Sequence, residues 1–94
     1  MVVGVATVRL HIPNSHSLKD KRQVVRSAIE RMRQRFNVAV AEVADLDSWQ
    51  AATLGIVSVS NDAGHVQGLL SKSVDWLAAE RLDAEIGEVS IEVW

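Results

Sequence analysis

The chain has 94 residues, 48% hydrophobic and 23% charged, which suits one folded domain and excludes a disordered chain. It contains no cysteine, which excludes a disulfide framework, a thiol nucleophile and any cysteine-ligated metal. The formal charge of −2 conceals a division: residues 1–36 carry eight Lys or Arg against two acids, a formal +6, and residues 37–94 carry two bases against ten acids, a formal −8.

Val2 to Ile12 is expected as a first strand, rich in Val, with Thr7, Arg9 and His11 alternating against Ala6, Val8, Leu10 and Ile12. Its opening residues show no basic leader, and no stretch approaches the roughly 18 apolar residues of a membrane span, so a cytoplasmic protein is expected. Pro13 and Asn14 stop the strand. A helix follows from near Leu18, with Leu18, Val25, Ile29, Met32 and Phe36 on one inward stripe. Ser17 is its expected N-cap, with Asp20 reaching back to the Ser17 amide in a capping box. At 100° per residue, Lys19, Arg22, Arg26 and Arg33 project along one edge of this helix.

After Asn37, Val38 to Ala44 is expected as a second strand interrupted by Glu42, and Ala51 to Ser60 as a central third strand covered at least partly on both faces. Gly55 within it marks a bulge or a close backbone contact. Asn61 or Asp62 caps a second helix, in which Val66, Leu69, Leu70, Val74, Leu77 and Ala78 recur to about Leu82. Glu85 to Trp94 alternates as a half-buried strand whose charges discourage edge pairing. The order is β-α-β-β-α-β, and it predicts a ferredoxin-like α+β fold with a four-stranded antiparallel sheet and two helices on one face. The other face is then uncovered and partly apolar, which predicts a homodimer or another partner laid on the sheet.

MVVGVATVRLHIPNSHSLKDKRQVVRS, FNVAVAEV, WQAATLGIVSVSND and the closing EVW-type strand resemble the YlxP family of small bacterial proteins over essentially the whole chain. SHSLKDKR and the helix after it are the most specific part. The resemblance implies a ferredoxin-like fold and a gene often found beside translation and ribosome-assembly factors. It implies no catalytic residue, because the family's activity is uncharacterised.

An anion site is one reading of the first helix, whose free amides and dipole favour a phosphate beside Ser15, His16, Ser17, Lys19 and Arg22. The competing reading is that Ser17 and Asp20 only cap the helix, with Asp20 occupying the place an anion would take. A broader reading needs no pocket: Lys19, Arg22, Arg26 and Arg33 form a cationic edge for the phosphate backbone of structured RNA or a ribosomal particle. Base stacking across the sheet is disfavoured, because the aromatic residues are Phe36, Trp49, Trp76 and Trp94 alone. Phe36 is assigned to the core, and Trp49 and Trp94 to burial at strand ends.

His11, His16 and His65 lack ligand spacing, and Asp45 with Asp47 lacks the Gly and Glu of a calcium loop, so no metal is expected. Gly64 and Gly68 do not form a phosphate loop, and no cofactor motif is present. The sequence therefore predicts a non-enzymatic binding protein, with RNA contacted by the first helix as one mode and homodimerisation or a small ligand at the open sheet face as the other.

Overall fold

The structure, a computed structural model, describes residues 1–80 and 83–94. Strand β1 (Val2–His11), helix α1 (Leu18–Arg35), strands β2 (Ala39–Ala44) and β3 (Ala51–Ser60), helix α2 (Ala63–Ala79) and strand β4 (Glu85–Val93) follow in the expected order. The sheet runs β2-β3-β1-β4 with every pairing antiparallel. This is the ferredoxin-like α+β fold. No helix among the described residues is long and apolar enough to cross a membrane.

The period-two pattern of the two inner strands decides where the core sits. Ala6, Val8 and Leu10 of β1 and Ala52, Leu54 and Ile56 of β3 are buried against Val25, Ala28 and Met32 of α1 and Val66, Leu70 and Leu77 of α2. Each fully buried Leu, Ile or Met side chain here contributes about 1.5–3 kcal/mol. α2 lies over β1, β3 and β4, whereas α1 lies along β2 at the sheet edge. The approach of α2 requires Gly4, since a Cβ there would collide with Val66 and Leu70.

Both helix starts are capped, with one correction. The Ser17 hydroxyl accepts from the Asp20 amide at 3.0 Å, as expected. The Asp20 carboxylate accepts from the His16 amide at 3.1 Å, one residue before the expected Ser17. The reason is the turn before the helix: the Ser15 amide donates to the Ile12 carbonyl and the Ser15 hydroxyl to the Ser17 carbonyl, bringing the His16 amide over the first helical turn. At α2 it is Asp62 that caps, accepting from the Gly64 amide at 2.9 Å. This helix ends at Ala79, where Glu80 takes extended dihedrals. The expected continuation to Leu82 falls on residues outside those described.

Three further expectations change. The irregularity opposite β3 lies in β2, between Glu42 and Ala44, where Val43 is the extra residue. Gly55 keeps regular pairing and makes room for Val43, whose Cγ1 would stand 3.1 Å from an added Cβ. β3 is covered by the helices on one face only, and Val59 on the other face is 58% exposed. Trp49 and Trp94, expected to be buried, are 57% and 66% exposed. Trp49 sits in the β2–β3 connection, where Ser48 and Gln50 take the local hydrogen bonds. Trp94 exchanges two backbone bonds with Val3 and so shares the uncovered face with it. Phe36 is the C-cap of α1, partly buried and edge-on to Trp76 at 5.9 Å.

Candidate nucleic-acid interface

The edge of α1 beside β2 forms a groove of about 400 Å³. Arg22, Arg26 and Arg33 stand along it, Val25, Ile29 and Val40 contribute its apolar floor, and Glu30 and Glu42 are its acids. Their common line follows from helix geometry: the rise is about 6 Å from Arg22 to Arg26 and about 10 Å from Arg26 to Arg33. Lys19 is exposed one turn before Arg22 and lies beyond the groove.

Arg33 is held in place. Its Nη2 donates to the Val40 carbonyl at 2.7 Å, a carbonyl on an edge strand with no neighbouring strand to supply a donor. One of five guanidinium donors is thereby used, and the rest stay available. Arg22 and Arg26 make no hydrogen bond or ion pair among the described residues.

Next to the groove lies a residue that the sequence reading counted only in the charge of the first 36 residues. Lys21 is fully buried, and its ammonium donates to the carbonyls of Asp45 at 2.9 Å and Leu46 at 3.1 Å. It also stands 2.9 Å from Glu42 Oε2. That contact is ionic rather than a well-angled hydrogen bond, for Glu42 Oε2 has no hydrogen-bond donor among the described residues. Sequence held a signal for it: Lys21 is three residues after Leu18 and four before Val25, a core position, and Glu42 shares the inward phase of Val40.

The electrostatic consequence is specific. Lys21 neutralises Glu42 from behind, leaving three arginines against Glu30 on the solvent side of the groove. Two other bases of the first 36 residues are matched by acids of the second half. Arg9 lies 3.8 Å from Asp45, and Arg31 lies 3.6 Å from Glu80. These exposed pairs contribute little to stability; Lys19, Arg22, Arg26 and Arg33 on the α1 edge, with Arg35 and Lys72 elsewhere, have no ion pair among the described residues.

Two predicted site residues are not part of this edge. Ser15 is buried and its hydroxyl donates to the Ser17 carbonyl at 3.0 Å, so it serves the turn. His16 is exposed, and its amide is bound to Asp20. The small depression beside Ser15 contains two acids, Asp20 and Asp83, with the amides Asn14 and Gln23 and no cation among its described lining, where a phosphate would need positive charge. The arginine edge and the helix start are thus separate places.

Residues 3–91 match the model of the family described as "Protein of unknown function (DUF503)". The chain belongs to this family. It is 35% identical to "Uncharacterized protein YlxP" of Bacillus subtilis (strain 168) over 60 residues, which are 64% of this chain and 65% of that protein. The match thus spans just under two thirds of the relative. The family likeness read from SHSLKDKR and the flanking strands is in agreement with both findings.

Proposed function

We propose that this chain is a non-enzymatic cytoplasmic binding protein that engages the phosphate backbone of structured RNA, free or in a ribosomal particle, through the α1–β2 edge. The observation that carries this reading is the arrangement of Arg22, Arg26 and Arg33 along one groove, with its inner acid already balanced by buried Lys21. Phosphates need cations at intervals along a strip and no enclosed pocket. Arg33, anchored on Val40, loses less side-chain freedom on binding than a fully mobile arginine. Lys19 extends the strip toward the start of the helix. The apolar floor suits ribose as well as the aliphatic parts of the arginines.

Specificity for sequence is not part of the reading, because the open sheet face has no pair of aromatic residues at its centre on which bases could stack. The contact is one of shape and charge. A filter-binding titration with ribosomal RNA tests it: the wild type binds, and the Arg22→Glu, Arg26→Glu, Arg33→Glu triple variant loses at least about a hundredfold in affinity at low salt. Equal affinity of the two proteins for the RNA overturns the reading.

A further inference from the structure

The uncovered sheet face has a pattern that the cross-strand register makes explicit. Val59, Val3 and Trp94 form one row, followed by Val57, Val5 and Glu92, then Gly55, Thr7 and Ser90, and then Thr53 and Arg9. Along the two inner strands the face therefore grades from apolar to charged, with Glu92 on the outer strand β4 beside the second row. At the charged end the Thr53 hydroxyl donates to Asp45 Oδ2 at 2.6 Å and Arg9 stands 3.8 Å from the same oxygen, bordering a depression of about 540 Å³. Asp45 reaches this place from a backbone with φ of 62°, fixed by Lys21 on its carbonyl. Most of the fork of Arg9 is left open to solvent, its side chain being 57% exposed.

We infer that this face binds a second copy of the chain, sheet on sheet, about a two-fold axis that runs parallel to the strands between β1 and β3. Only this choice of axis keeps each row opposite itself while exchanging β1 with β3. Val3 then meets Val59 of the partner subunit, and Val5 meets Val57 of the partner subunit. Thr7 meets Gly55 of the partner subunit, where the small residues let the sheets approach most closely. Arg9 lies over Thr53 of the partner subunit and reaches Asp45 of the partner subunit, filling the depression. The valines of β1 and β3 thus meet valines at the centre, Glu92 stays on the outer strand β4, and each Arg9 meets a carboxylate, the self-complementarity an isologous interface requires.

The area is sufficient. Four strands about 4.8 Å apart, with inner strands of ten residues rising about 3.3 Å each, give a face of roughly 600 Å². Two such faces bury about 1,200 Å², the lower end of the range of specific stable interfaces. Both α1–β2 grooves remain on the outside of such a dimer, so it neither requires nor blocks the RNA contact.

Sedimentation equilibrium and cross-linking test the inference on the intact chain. The wild type sediments as a dimer at micromolar concentration. Val59→Glu and Arg9→Glu each weaken the dimer by about tenfold or more, and thermal unfolding of the Val59→Glu monomer is unchanged because Val59 is exposed. The chain has no cysteine, so Thr7→Cys supplies one thiol close to the axis, and a short bis-maleimide joins two copies. A strict monomer overturns the inference, as does a dimer that resists both substitutions and leaves Thr7→Cys unlinked. RNA titration of the Val59→Glu variant separates the two proposals, since the α1 edge is intact there.

Discussion

Lys21 carries the account at the scale of single residues. A fully buried ammonium is costly unless its charge and donors are matched, and here two carbonyls and a carboxylate match them. Lys21→Met therefore costs about 3–5 kcal/mol by leaving the buried Oε2 of the half-buried Glu42 without its counter-charge. Lys21→Met with Glu42→Leu recovers part of that loss, since the carbonyls of Asp45 and Leu46 still lack a donor. Urea unfolding of the three proteins checks this; a single-variant cost below about 1 kcal/mol contradicts the buried pair. The residue pattern held a signal for such a pair that the sequence reading passed over: a lysine on the apolar stripe of α1 and a glutamate on the inward phase of β2. Which carbonyls complete the site was not legible, because that depends on a connection whose path is set by tertiary contacts.

At the scale of elements, the order of strands and helices was readable from hydrophobic period alone, and so was the cap at Ser17. Element ends were less so. β1 closes at His11 and β2 opens at Ala39, each one residue inside the expected strand, because spacing records which residues can face a core and not where the backbone pairing ends. The exposure of Trp94 was missed for a related reason: a large aromatic residue suggests burial, but its strand phase aims it at the face without helices. The two glycines that meet α2 give opposite expectations. Gly4→Ala drives a methyl into Val66 and Leu70 and costs about 1–3 kcal/mol. Gly68→Ala meets open space inside the helix and stabilises by about 0.5–1 kcal/mol. Thermal unfolding of the two variants checks the pair, and a shift in the same direction for both contradicts the packing described.

For the whole molecule, the charge division of the sequence is resolved in space. Arg9, Lys21 and Arg31 are met by Asp45, Glu42 and Glu80 from the second half, while Lys19, Arg22, Arg26 and Arg33 on the α1 edge have no ion pair among the described residues. The sequence pattern indicated that edge, including the line of Arg22, Arg26 and Arg33. It did not indicate the groove, because the opposite wall is a strand edge that only the sheet order brings beside α1. Nor did it separate Ser15 and His16 from the arginines, since closeness in sequence at a helix start gave no measure of where the hydroxyl and amide point. The central claim is that these cations displace counterions from RNA. The most direct measurement is the slope of log affinity for structured ribosomal RNA against log salt concentration, compared between wild type and Arg26→Gln. Contacts from Lys19, Arg22, Arg26 and Arg33 predict a slope of about −3, made shallower by close to one by the substitution. A slope near zero, or one that Arg26→Gln leaves untouched, contradicts it.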